Sequence, residues 1–412
     1  MVKKLLLFSI IAVLGFATSM GIASDSNSAK PCRHSCTTTT VTTTNPTTST
    51  TTPASTYPAS YFSGPLGQNE ILPASTTGFL SGMWSGEDGF TPTQARARVE
   101  QRIADSGRTF NFISAQLTLS DLGNSDTYGT RSENWIHSLG SIPMFSVPGN
   151  WAPADVAAGL HDDDLQLMAN RFATFGFPVL LRVWREQNSQ SSQLYFTGDS
   201  NDTQAQLDQI AANWIAGWRY YVNFFRTHGA TNVGFVWCPS ELANRNNTNG
   251  FTGRNQLLAT YPGDAYVDWV GVDRYNHGVN GGFSTPLHNG WASFDELFNY
   301  HTLGYAQPSI ADEYGPSKPV MVYETASHYD PAQPSRKADW FINIADVAKP
   351  HMPYLYSVQF FDQWITSNSA DWRVDSNQVS NNIAKGSSDS ITYQGWKDFE
   401  NRPVANVGVL GG

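Results

Sequence analysis

Pro178-Val179-Leu180-Leu181-Arg182-Val183-Trp184 is a nearly continuous apolar run that Arg185-Glu186 ends abruptly. A strand with one wet face alternates polar and apolar residues, whereas continuous apolarity marks a strand covered on both faces, as parallel strands are. Val233-Gly234-Phe235-Val236-Trp237 and Pro319-Val320-Met321-Val322-Tyr323 repeat the pattern. Working outward, short β-branched or aromatic runs closed by Gly, Pro, Asn or Ser complete a series of strands. The candidates are Gly78–Met83, Thr109–Leu117, Ile142–Val147, Pro178–Trp184, Asn232–Trp237, Val267–Val272, Pro319–Tyr323 and Leu355–Phe361. Between them, Thr93–Ser106, Leu165–Phe175, Asp202–Thr227, Phe294–Tyr300 and Arg336–Ala348 place apolar residues three and four apart, the spacing of helices with one buried face. Strand–helix alternation repeated about eight times predicts an α/β chain folded as a (β/α)8 TIM barrel. A doubly wound sheet is the alternative. It would want a glycine-rich phosphate loop after an early strand, and neither GxGxxG nor GxxxxGK[ST] occurs.

Barrel chemistry sits at the C-terminal ends of the strands. That rule selects Glu186 after the fourth strand and Glu324 after the seventh, with Glu241, Asp273 and Asp362 near the ends of the fifth, sixth and eighth. Glu100, Glu133 and Glu400 fall on helical or loop patterns and read as solvated. Two carboxylates across one barrel mouth suit glycoside hydrolysis, in which one protonates the leaving oxygen and the other attacks the anomeric carbon. A retaining enzyme holds them about 5–5.5 Å apart. Ion pairing with Arg is the structural alternative for such carboxylates. Other hydrolytic chemistries lack parts: the chain has no HExxH and no GxSxG. His161-Asp162-Asp163-Asp164 reads as a loop that opens a helix rather than as a metal site.

Several stretches resemble glycoside hydrolase family 26, a family of retaining (β/α)8-barrel glycosidases that includes β-mannanases. Arg182-Val183-Trp184-Arg185-Glu186-Gln187-Asn188 is similar to the family segment R-P-x-H-E-x-N. Tyr261-Pro262-Gly263-Asp264 followed by Val267-Asp268-Trp269-Val270-Gly271-Val272-Asp273 resembles the family run YPGDxYVDWVGVD, the most specific match. Tyr275, the strand from Lys318 to Thr325, and Asp371-Trp372-Arg373-Val374-Asp375-Ser376 also resemble family stretches. The resemblance implies Glu186 as acid/base and Glu324 as nucleophile, with no cofactor and no metal. It implies Asn188 as a substrate contact, Arg182 as support for the glutamates, and Tyr275 and Trp364 as the lining of the subsite at the cleaved bond. Trp84, Trp151, Trp184, Trp237 and Trp291 are further sugar-platform candidates. The chain departs from the pattern in having Arg185 where the family has His. A cation there lowers the pKa of a neighbouring acid, so Arg185 either points elsewhere or contacts substrate. The activity implied is endo-hydrolysis of β-1,4-mannan, glucomannan or galactomannan. β-1,3-Xylanase, mixed-linkage β-glucanase and a barrel that only binds glycans are the alternatives.

Composition agrees with a neutral polymer as partner. A net charge of −10 offers nothing to offset phosphate repulsion and argues against nucleic acid. Thirteen Trp in a chain with only 15% charged residues suit flat, uncharged sugar rings, although most of these rings must serve the core. Lys3-Lys4, the apolar run to Phe16 and the small residues to Ser24 read as a secretory signal peptide over 1–24. An uncleaved anchor would want about 20 apolar residues. Residues 25–60 hold Cys32 and Cys36 and a Thr- and Pro-rich stretch with nothing to bury, expected to act as a linker and cell-surface tether. The cysteines are placed to pair with each other, and with His34 they offer three zinc ligands without a fourth. Cys238 reads as a core residue. Residues 61–412 form the catalytic barrel, expected to be extracellular and monomeric.

Overall fold

Strands β1 (Leu80–Trp84), β2 (Phe112–Gln116), β3 (Ile142–Ser146), β4 (Val179–Arg182), β5 (Val233–Trp237), β6 (Trp269–Asp273), β7 (Val320–Thr325) and β8 (Leu355–Phe361) close in sequence order into a barrel in this computed structural model. Every neighbouring pair is parallel, and β1 closes on β8 from Leu80 opposite Ser357 to Trp84 opposite Phe361. All the strands expected from the sequence are present, with ends shifted by a few residues. The structure describes residues 78–84, 91–123, 129–147, 151–188, 202–241, 254–278, 291–298, 308–330, 332–365, 370–375 and 391–402. The expected signal segment and linker, with Cys32 and Cys36, lie outside the described residues.

The principal crossover helices are those the periodicity predicts. They include α1 (Pro92–Ser106), and further along Asp162–Phe175, Gln204–Thr227 and Arg336–Asn343, the last widening into a π-helical turn over Ile344–Ala348. Thr91 caps α1 through a capping box, with Pro92 at its first turn. His161 precedes a helix whose first turn is Asp162-Asp163-Asp164, so that acidic triplet faces the positive end of the helix dipole, as its sequence suggested. A C-terminal helix, Ile391–Glu400, was not evident from the sequence, nor were the short helices Glu133–Ser138, Pro153–Ala157, Arg254–Leu258 and Ile310–Tyr314. Among the described residues no helix is long and apolar enough to cross a membrane.

Side-chain alternation divides the core into two layers. Leu80, Phe112, Ile142, Met144, Leu180, Val236, Cys238, Trp269, Met321 and Tyr323 fill the barrel interior. Val179, Leu181, Phe235, Trp237, Val270, Val272, Val320 and Val322 point outward and pack against the helices. Gly271 belongs to the inner set. A Cβ there would lie 2.8 Å from the Cys238 sulfur, so only glycine lets β6 approach β5 so closely.

Two carboxylates expected in solvent are instead buried. Glu133 accepts from Arg171 Nε at 2.9 Å. Glu400 accepts from Ser81 Oγ at 2.8 Å and lies near Arg108, joining the C-terminal helix to β1. Their cationic partners are remote in sequence, so local polarity alone misplaces both residues. Glu100 is exposed as expected.

Candidate active site

β4 ends in an unusual backbone. Trp184 and Glu186 both have φ of 49°, the left-handed region that side chains other than glycine rarely adopt. Such residues cost about 1–3 kcal/mol each and persist only where surrounding contacts hold them. Here the contacts come from the segment after β5. Glu186 N donates to Cys238 O at 2.8 Å. Asn188 Nδ2 donates to Ser240 O at 2.8 Å, and Ser240 N returns a bond to Asn188 Oδ1 at 2.9 Å. Asn188 is buried and its amide is committed at both ends, so it fixes the β4 and β5 ends together. Ser240 Oγ then reaches Glu186 Oε1 at 3.4 Å. Ser240 was not singled out in the sequence; its place just past the end of β5, after Cys238-Pro239, is the signal that could have found it.

Glu324 lies across the mouth in β7 and is 7% exposed, while Glu186 is partly exposed. Tyr275 Oη donates to Glu324 Oε2 at 2.6 Å, and Arg182 donates to the other oxygen. Arg182 is itself buried. Its guanidinium also pairs with Asp273, bonds Ser146 Oγ at 2.8 Å through Nε, and stacks 3.9 Å from the Tyr323 ring centre. Thus β3, β4, β6 and β7 meet on one cation. Cys238 is buried with its sulfur 3.3 Å from Asp273 Oδ1, completing the support.

Arg185 does not turn away. It lines a shallow recess with Trp84, Ser114, Gln116, Ser146, Tyr323 and Glu324. The electrostatics separate the two glutamates. Burial raises the Glu324 pKa, but the cations Arg182 and Arg185 and the Tyr275 hydrogen bond outweigh it and leave the carboxyl below its ordinary value. Desolvation and the negative charge of Glu324 push Glu186 above its ordinary value, with Arg185 and Arg182 only partly opposing. One carboxyl is therefore biased to hold a proton and the other to be an anion. Two groups pushed apart in this way are equipped for acid and nucleophile roles.

The aromatic candidates divide. Tyr275 and Trp84 are at the mouth and partly exposed. Trp237 is not at the mouth: it is fully buried on the outer face of β5 against Tyr261 and Tyr314, with ring centres 5.3 and 5.4 Å away. Trp184 is buried beside Trp214, and Trp151 is buried against His161. Trp291 is partly exposed under Arg336. The backbone of Trp364 is described in a short strand, but its side chain is not among the described residues. Trp372, from the stretch after β8, takes a place that the sequence did not assign, 4.8 Å from Tyr275. Asp362 is fully buried between Arg98 and Arg102, and Glu241 accepts from Ile310 N at 3.1 Å, so both serve structure. Among the described residues no group of three or more His, Cys, Asp and Glu side chains is arranged to hold a metal ion.

Comparison with known proteins bears on the same region. Residues 161–310, which contain β4, β5, β6 and Glu186, match the model of glycosyl hydrolase family 26. Endoglucanase H of Acetivibrio thermocellus is 27% identical over 252 residues, covering 58% of this chain and 23% of that protein. The match thus spans about a quarter of the curated relative. The catalytic domain of the Bacillus sp. JAMB-750 family 26 endo-β-1,4-mannanase superposes with a TM-score of 0.55 at 19% identity, covering 82% of this chain and 91% of that one. A β-mannanase from a symbiotic protist of the termite Reticulitermes speratus gives 0.50 at 14% identity, covering 86% and 96%. These structures share the barrel. The resemblance read from the motifs is borne out: over residues 161–310 the chain is similar to the family 26 glycosyl hydrolases, and its barrel is similar to theirs.

Proposed function

We propose that the protein is a secreted, retaining endo-β-glycanase that cleaves β-1,4-mannosidic bonds in mannan, glucomannan or galactomannan. The observation that carries this reading is the pairing of Glu186 and Glu324 at the ends of β4 and β7, with their proton affinities driven in opposite directions. In the first step a Glu324 oxygen bonds to the anomeric carbon while the glycosidic C–O bond breaks, and the Glu186 proton passes to the leaving oxygen. In the second, Glu186 takes a proton from water, whose oxygen displaces Glu324 and restores the carboxylate. Arg182 and Tyr275 hold the nucleophile as an anion and fix its direction. The linker would space the enzyme from the cell surface, and no cofactor or metal enters.

Mannan is supported by the names of the two structural neighbours. A glucan is the second reading, favoured by the name of the curated relative and by Arg185 in the recess beside Glu324. A reducing-sugar screen on mannan, glucomannan, β-1,3-xylan, mixed-linkage glucan and β-1,4-xylan decides. Release from mannans is expected. Release from glucan or xylan alone overturns the mannanase assignment, and binding without release on all five favours a glycan-binding barrel. Proton NMR of early products should show β-configured reducing ends, and initial α ends would exclude retention.

A further inference from the structure

Tyr275 donates to Glu324 from a segment just past β6, so something must keep its phenol aimed. Its hydrogen bond at 2.6 Å fixes one end of the ring. The ring body rests on Trp372, 4.8 Å between centres and inclined at 41°, and meets the edge of Phe361 at 5.7 Å. Trp372 is 3% exposed, too enclosed to offer a face to a sugar. His328 and His277 flank it further, at 4.2 and 5.1 Å.

Trp372 lies outside any long strand or helix, yet its segment is pinned at several points. Trp372 N donates to Gln363 O at 3.0 Å. Val374 N donates to Asp362 Oδ1 at 2.9 Å. The other Asp362 oxygen is gripped by Arg102 at 2.9 Å and Arg98 at 3.1 Å, both from α1. Arg102 reaches on to Asp375 at 2.8 Å. The buried Lys337 ammonium donates to Arg373 O at 2.8 Å. The ionic clasp and the lysine leave the segment little freedom, and Trp372 passes that rigidity to the Tyr275 ring.

We propose that Trp372 is a positioning residue for the nucleophile, held by the Asp362–Arg98–Arg102 clasp and acting on Glu324 only through the phenol of Tyr275. The inference rests on Glu324 being the nucleophile. Loss of a hydrogen bond to a charged group costs roughly ten- to a hundredfold, so Tyr275→Phe should lower kcat by that factor with KM little changed. It should also move the acid limb of the kcat/KM profile to higher pH, because the phenol stabilises the Glu324 anion.

The test is a double-mutant cycle of Trp372→Ala and Tyr275→Phe, read in kcat, KM and the acid limb, with Trp372→Phe as the conservative variant. Trp372→Ala should reproduce the Tyr275→Phe pattern, the double variant should be no worse than either single one, and Trp372→Phe should recover most of the loss. Additive effects, or a rise in KM with the acid limb unmoved, would mean that Trp372 meets substrate directly and overturn the proposal. Should Trp372→Ala fail to fold, Trp372→Phe and Trp372→Leu carry the same cycle. Glu324→Ala in the same assay separates the two readings. Substantial residual turnover there removes the nucleophile assignment itself, whereas an inactive Glu324→Ala with an additive cycle removes only the role of Trp372.

Discussion

Arg185 acts electrostatically on both glutamates at the strand ends. It lines the recess with Glu324, and its charge lowers the proton affinity of Glu324 and Glu186 alike. Replacing it by His, neutral through most of the working range, should raise both. The sign follows directly: without the cation each anion is less favoured, so protons leave at higher pH. Under the proposed roles the acid limb of kcat/KM reports Glu324 ionising and the basic limb Glu186 losing its proton, so Arg185→His should move both limbs to higher pH. Unmoved limbs would remove the electrostatic role. If Arg185 also reads substrate, the same variant changes the ratio of rates on mannan and glucan, and an equal change on every substrate limits the residue to tuning Glu186 and Glu324.

Alternation along β5 explains why one sugar-platform candidate serves the core. Val233, Phe235 and Trp237 share the outward face, whereas Val236 and Cys238 point inward, Cys238 reaching Asp273. That parity was available in Val233-Gly234-Phe235-Val236-Trp237-Cys238 once Cys238 was read as a core residue, and it excludes Trp237 from the mouth. Trp237→Ala should therefore cost about 3–5 kcal/mol of stability, as emptying a buried aromatic site does, and leave KM unchanged. A several-fold rise in KM without a fall in melting temperature would return Trp237 to substrate binding. The strand ends that carry Glu186 and Glu324 were legible for the opposite reason: each follows its apolar run directly, so the position of the acid depends on local pattern alone. Trp372, Glu133 and Glu400 were misread or unassigned because their partners lie far away in the chain. Asp362 illustrates the same limit, since it sits at a strand end like a catalytic acid but is neutralised by two arginines from α1. Burial raises its pKa, yet Arg102 and Arg98 outweigh that and leave it well below the ordinary carboxylate range. Asp362→Asn would remove the buried charge that Arg98 and Arg102 share, leaving Arg102 only Asp375, and should destabilise by about 3–5 kcal/mol, measured by denaturant unfolding. A loss below about 1 kcal/mol, the scale of a surface ion pair, would mean that the clasp is not a structural anchor.

The candidate site and Glu400 place two different electrostatic loads on the barrel. Glu400 ties the C-terminal helix to Ser81 of β1, and its pKa is pushed up to about 7 by burial, with Arg108 and Ser81 only partly opposing. Its folded pKa lies above the unfolded one, so between the two the native state binds more protons, and this group makes stability fall as pH rises. Glu400→Gln should accordingly change stability relative to wild type in a pH-dependent way, the difference moving in favour of the variant from about pH 5 to about pH 8 across the range of that shift. A constant difference would mean that Glu400 titrates normally. The proposed function makes Glu186 at the end of β4 the proton donor and Glu324 in β7 the nucleophile, and the configuration of trapped products tests that assignment most directly. With an activated aryl β-glycoside and added azide, Glu186→Ala should yield the β-glycosyl azide, since azide replaces the second displacement at a Glu324 ester. Glu324→Ala should yield the α-glycosyl azide, since azide attacks the open face. The reverse pairing of variant and product, or azide products from neither, would contradict the assignment of Glu324 as nucleophile and Glu186 as acid/base.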